Sequence, residues 1–81
     1  MSDENIKVTV KFFANLRKYG PEKSTEYFPM NSTVNDILEE YDIPKNEMNL
    51  IILINGKPHQ TEKTSLKEGD TVAIFPPLAG G

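Results

Sequence analysis

The residues best suited to chemistry stand at the end of the sequence, in Phe75-Pro76-Pro77-Leu78-Ala79-Gly80-Gly81. Gly80 and Gly81 have no Cβ, so the peptide around them takes backbone angles closed to other residues and fits a channel too narrow for side chains. The terminal carbonyl carbon of Gly81 is open to attack from any side. Pro76 and Pro77 each fix φ and favour an extended path. At roughly 3.1–3.4 Å per residue, Pro76 to Gly81 reaches about 20 Å. The reading is a tail that presents Gly81 to another protein's active site. The plain alternative is a frayed terminus without a role.

Little else in the sequence offers chemistry. The 81 residues contain no cysteine, which excludes disulfides, a thiolate metal site and a thiol nucleophile. The single histidine, His59, has no second ligand at metal spacing, so no metal site is expected. Glu39, Glu40 and Asp42 read as a solvated helix end, and the glycines show no phosphate-cradling pattern. The net charge of −3 argues against nucleic acid, which selects basic patches. The opening Met1-Ser2-Asp3-Glu4-Asn5 is acidic and polar, unlike a targeting peptide. The longest aliphatic run, near Leu50 to Ile54, is too short to span a bilayer, so a soluble cytoplasmic protein is expected.

The elements that must carry the tail are legible as patterns. Ile6 to Phe12 alternates: Ile6, Val8, Val10 and Phe12 share one face, and Lys7, Thr9, Lys11 and Phe13 share the other. Phe13 is the anomaly, an aromatic continuing a Lys/Thr face. Ala14 to Tyr19 reads as a helical turn or loop stopped by Gly20-Pro21. Thr25 to Phe28 is a short second strand ended by Pro29. Thr33 then caps a helix, with Asp36 at the third position close to a capping box and Val34, Ile37, Leu38 and Tyr41 as its apolar stripe. Pro44 prevents continuation. Leu50 to Ile54 reads as a buried strand, and Asn55-Gly56 as a hairpin turn into a short edge strand near Lys57 to Gln60. Ser65 to Asp70 is a turn, and Thr71 to Phe75 the last strand.

One helix between two groups of strands covers one sheet face and leaves the other partly open, and lets the last strand run parallel to the first. The expected class is α+β: a β-grasp, ubiquitin-like fold, with a mixed sheet of about five strands, one main helix on one face and a flexible C-terminal tail. Residues 1–75 form the body and 76–81 the tail.

Two stretches carry a family resemblance. Val10-Lys11-Phe12-Phe13-Ala14-Asn15-Leu16-Arg17 and Leu66-Lys67-Glu68-Gly69-Asp70-Thr71-Val72-Ala73-Ile74-Phe75-Pro76-Pro77-Leu78-Ala79-Gly80-Gly81 resemble the MoaD family of ubiquitin-like sulfur carriers, the small subunit of molybdopterin synthase. The resemblance implies that a ubiquitin-activating-type enzyme uses ATP and Mg²⁺ to adenylate Gly81, and that a sulfur donor converts the acyl-adenylate to a thiocarboxylate. It also implies docking on the large subunit of the synthase, where the tail delivers sulfur. An unactivated carboxylate is a poor acyl donor because oxide leaves badly, whereas AMP leaves well. The catalytic groups would belong to partners, so the chain itself is expected to be a carrier without a bound cofactor. Two alternatives share the tail chemistry: a protein modifier joined through Gly81 to target lysines, and a carrier of the thiamin pathway, usually shorter and lacking the Phe-Pro-Pro tail.

The partner-binding residues are expected to be Phe13, Phe75, Pro76, Pro77, Leu78, Ala79, Leu66 and Arg17. If the first and last strands are neighbours, Phe13 and Phe75 share the open face and form a docking patch. The competing reading is that they pack on each other or on the turn at Leu16. Leu66 belongs to the patch or to the core. Arg17 steers toward an acidic partner or forms a solvated charge pair.

Overall fold

The computed structural model describes residues 4–43 and 50–76. The first strand, β1 (Asn5–Phe12), contains neither Gly nor Pro and alternates throughout. Its inward positions Ile6, Val8, Val10 and Phe12 are buried. Burying them on one face fixes the register of everything that pairs with β1, because a one-residue slip would turn the apolar set to water.

β2 (Lys23–Pro29) returns antiparallel to β1, from Asn5 opposite Pro29 to Lys11 opposite Lys23. It is longer than the expected Thr25–Phe28. Lys23 and Ser24 have no strand signal of their own, but β1 offers them free ladder partners. Between the two strands lies a 3-10 helix, Ala14–Lys18, pinned by the buried Leu16.

The helix α1 (Val34–Glu40) starts where the Thr33 backbone N–H donates to Asp36 Oδ2 at 2.8 Å. The backbone N–H groups of Val34 and Asn35 donate to the carbonyls of Thr64 and Glu62 in the loop that crosses the helix start. These N–H groups are therefore occupied, and the helix N-terminus is not left open to an anion. Val34, Ile37 and Leu38 face the sheet. The helix stops before Pro44, which lies outside the described residues. Asp42 turns left-handed at φ 56°, Ile43 N–H donates to Leu38 O at 2.9 Å and Asp42 N–H to Glu39 O at 3.1 Å. That is a Schellman ending, with Ile43 folded into the core against the last turn.

β3 (Ile51–Ile54) begins one residue later than expected, with Leu50 packed beside the core. Asn55 and Gly56 both have positive φ, 54° and 82°, as a tight hairpin turn requires. They lead into β4 (Lys57–Gln60), which tolerates Pro58 because it is an edge strand. β5 (Thr71–Phe75) inserts between β1 and β3, parallel to the first and antiparallel to the second. The sheet order is β2-β1-β5-β3-β4, covered on one face by α1. This is the expected mixed five-strand sheet with one helix, a β-grasp fold.

Leu66 corrects an expectation. It is only 4% exposed and belongs to the core cluster beneath the helix, not to a docking patch. Its backbone N–H donates to Ser32 O at 2.8 Å, so the loop before β5 is tied to the helix start and points this side chain inward. Asp70, 8% exposed, accepts from Lys67 N–H and from Asn55 Nδ2 at 2.8 and 2.9 Å. Asn55 Oδ1 accepts in turn from Thr71 N–H at 3.0 Å. The hairpin tip is thereby fastened to the start of β5.

Candidate functional site

Phe75 is the last residue of β5, with Val72 and Ile74 buried on the helix side and Thr71, Ala73 and Phe75 half-buried on the other. Phe13 stands one step past β1. Its N–H donates to Ile74 O at 3.2 Å, which extends the parallel ladder by one bond and holds it beside Phe75. The rings are stacked, with centroids 4.2 Å apart and planes 11° from parallel. The two aromatics therefore share the open face and also pack on each other. Stacking makes them one rigid, partly exposed apolar surface.

The chain leaves this pair by a strained turn. Ala14 sits at φ 56°, a left-handed conformation unfavourable for a residue with a Cβ. Burial of Leu16 two residues later and the Leu16 N–H to Phe13 O bond hold it there. The turn carries the backbone off the sheet immediately after Phe13 and so leaves its ring accessible.

Register arranges the open-face side chains in rows. Phe13, Phe75 and Ile51 form the row where the chain leaves β5. Lys23, Lys11, Ala73 and Leu53 form the next. Thr25, Thr9 and Thr71 form the third, and Tyr27 and Lys7 the fourth. Ile51, Leu53 and Ala73 thus enlarge the aromatic pair into an apolar surface. The sequence reading missed Ile51 and Leu53 because Leu50 to Ile54 is aliphatic at every position, which hides the period of two and suggests burial on both faces. Tyr27, 65% exposed, also lies on this face.

Pro76 is half-buried and directly follows the stacked pair. Pro77, Leu78, Ala79, Gly80 and Gly81 lie outside the described residues. Arg17 pairs with Glu22 at 3.8 Å, both well exposed. This is the solvated pair of the two readings, of little energetic weight.

Among the described residues, no group of three or more His, Cys, Asp or Glu is placed to hold a metal ion. No helix there is long and apolar enough to cross a membrane. The Tyr41 hydroxyl has its pKa raised, first by burial and then by the nearby Glu26 carboxylate, against a lowering hydrogen bond from Ser24. It bonds Ser24 Oγ at 2.9 Å and donates to Glu26 Oε2 at 2.8 Å, which fastens the end of α1 to edge strand β2. This network lies on the helix side, away from the stacked aromatics.

A sequence model of the ThiS family matches residues 10–81. The chain is similar to a protein of Drosophila yakuba named molybdopterin synthase sulfur carrier subunit, 34% identical over 94% of this chain and 92% of that one. A solved structure from Pyrococcus furiosus, provisionally named molybdopterin converting factor, subunit 1, superposes with a TM-score of 0.74 at 30% identity. It covers 90% of this chain and 99% of that one. The small archaeal modifier protein 1 of Methanosarcina acetivorans superposes with a TM-score of 0.67 at 25% identity, over 96% of this chain and 99% of that one.

Proposed function

The chain belongs to the ThiS family, and from that premise we propose that it is a sulfur carrier for molybdopterin synthesis that works through the carboxylate of Gly81. The observation that carries the proposal is the reach of the family match: it runs to residue 81, so it takes in Gly80 and Gly81 just beyond the strand that holds Phe75. The names of the Drosophila and Pyrococcus relatives favour molybdopterin over the thiamin pathway as the destination.

In this proposal residues 1–75 are the recognised body and 76–81 the arm. The open face, centred on Phe13 and Phe75 and widened by Ile51, Leu53 and Ala73, docks on the large subunit of the synthase and on an adenylating enzyme. The Gly81 carboxylate attacks the α-phosphate of ATP, with Mg²⁺ held by that enzyme, and pyrophosphate leaves. A donor at the oxidation level of sulfide attacks the acyl-adenylate, AMP leaves, and a thiocarboxylate remains. Its sulfur then passes to the pterin precursor. Two residues without Cβ let the arm thread a narrow channel to both reaction centres. The chemistry belongs to the partners, and the chain is their substrate.

The test is the intact mass of the chain after incubation with ATP, Mg²⁺, a sulfide source and the adenylating enzyme of the same cell. Replacement of one oxygen by one sulfur, absent when Gly81 is deleted, is the expected result. No mass change with an enzyme shown to be competent on another carrier would overturn the proposal. A second reading is supported by the likeness to the archaeal modifier. The same acyl-adenylate can be captured by a lysine amine, and Gly81-linked lysine remnants on cellular proteins would reveal it.

A further inference from the structure

The open face is asymmetric in charge. The strand positions on this side include Lys7, Lys11 and Lys23 and neither Asp nor Glu. On the helix side, the groove between β2 and α1 is lined by Asp36, Glu39 and Glu40 with Phe28, Pro29 and Ser32. Lys11 and Lys23 lie directly opposite each other across the β1–β2 ladder. Like charges in that relation destabilise a sheet. Among the described residues neither ammonium has a carboxylate partner, the ion pair there being Arg17 with Glu22. Glu68, which accepts from the Lys7 backbone N–H at 2.9 Å, sits at the far end of the face. A repulsive pair kept without local compensation, in the same row as Ala73 and Leu53, costs fold stability and so points to a use outside the fold.

We propose that Lys11 and Lys23 form a cationic rim that steers the open face onto a partner surface bearing carboxylates beside an apolar hollow. The inference rests on the docking reading above and adds the chemistry of the partner surface, that of the large subunit. Charge complementarity selects this occupant. The chain carries −3 overall, so an acidic surface is repelled from most approaches and attracted where the two lysines stand together. The stacked aromatics then set how long the complex lasts, while the lysines set how often it forms.

The experiment measures association and dissociation rates of the full chain with the large subunit of the same cell, at low and high salt. The variants are Lys11→Glu, Lys23→Glu and Phe75→Ala, each also followed by thermal unfolding. Lys11→Glu turns the repulsive pair into an attractive one, so its unfolding midpoint should hold or rise while association slows about tenfold at low salt. Lys23→Glu should do the same from the other strand, and both should flatten the salt dependence with dissociation little changed. Association rates and salt dependence equal to the unaltered chain, with Phe75→Ala still hastening dissociation, would overturn the steering inference and leave the docking reading standing. Slower association accompanied by a lowered midpoint in both lysine variants would assign the pair a structural role and also overturn it. Unchanged dissociation for Phe75→Ala would remove the docking reading itself, and the inference with it.

Discussion

At the residue scale, two aromatic positions do different work on opposite faces of one sheet. Phe75 has a side chain that contacts Phe13 and solvent but lies outside the core cluster. Phe75→Ala should therefore weaken binding to the large subunit by at least about tenfold, as loss of an aromatic anchor does. The urea midpoint should fall only slightly. Equal dissociation constants for the two chains would rule out the anchor. Phe12, one residue before Phe13, is wholly buried and meets Tyr41 edge-on, with centroids 4.9 Å apart and planes 80° from parallel. A Cβ at Gly20 would come within 2.6 Å of Phe12 Cε2 and 3.0 Å of Tyr41 Cε1. The Phe12 ring is enclosed and cannot give way, so Gly20→Ala should cost about 1–3 kcal/mol by overpacking. Urea unfolding checks this. A loss below a few tenths would show that the loop simply shifts.

At the scale of elements, α1 has seven residues and is too short to be stable by propensity. It is held at both ends by other parts of the chain. The loop carbonyls of Glu62 and Thr64 take its first N–H groups, and Tyr41 ties its last turn to β2 through Ser24 and Glu26. Tyr41→Phe keeps the ring against Phe12 and removes the hydroxyl network, so it should cost roughly 0.5–1.5 kcal/mol. It should also change the alkaline limb of stability. Because the pKa of Tyr41 is raised above 10.0 in the fold, the folded state keeps the phenol proton at pH values where the unfolded chain has lost it. Stability is then intact below pH 10.0 and declines as pH rises through the folded pKa. Denaturant midpoints across that range should fall less steeply for Tyr41→Phe. Identical slopes would mean the hydroxyl is not coupled to folding.

At the scale of the molecule, the proposed function puts recognition on the sheet and chemistry on Gly81. β1 and β5 lie side by side at the middle of the sheet, and β5 ends with Phe75 at the edge of the apolar surface. Among the described residues, the last member of the core cluster is Ile74. Deleting Gly80 and Gly81 should accordingly leave the circular dichroism spectrum and the thermal midpoint unchanged while eliminating the sulfur-for-oxygen mass change. A lowered midpoint would show that the last two residues are part of the folded body.

Local features were legible from the residues alone. These are the alternation of β1, the Thr33–Asp36 start of α1, the Asn55-Gly56 turn and the outward parity of Phe13 and of Phe75, each within its own strand. Each follows from backbone chemistry within a few residues, where pattern and conformation correspond directly. Tertiary structure decided what depends on partners distant in sequence. Lys23 and Ser24 became strand because β1 offered them free hydrogen-bond groups. The helix ended at a left-handed Asp42 because Ile43 had core to enter. Leu66 turned inward because its loop is bonded to Ser32. Ile51 and Leu53 turned outward because β3 is covered by the core on one face only, which a run of aliphatic residues cannot reveal. The confrontation of Lys11 with Lys23 exists only once β1 and β2 are in register, since residues so placed in the sequence carry no sign that they will meet.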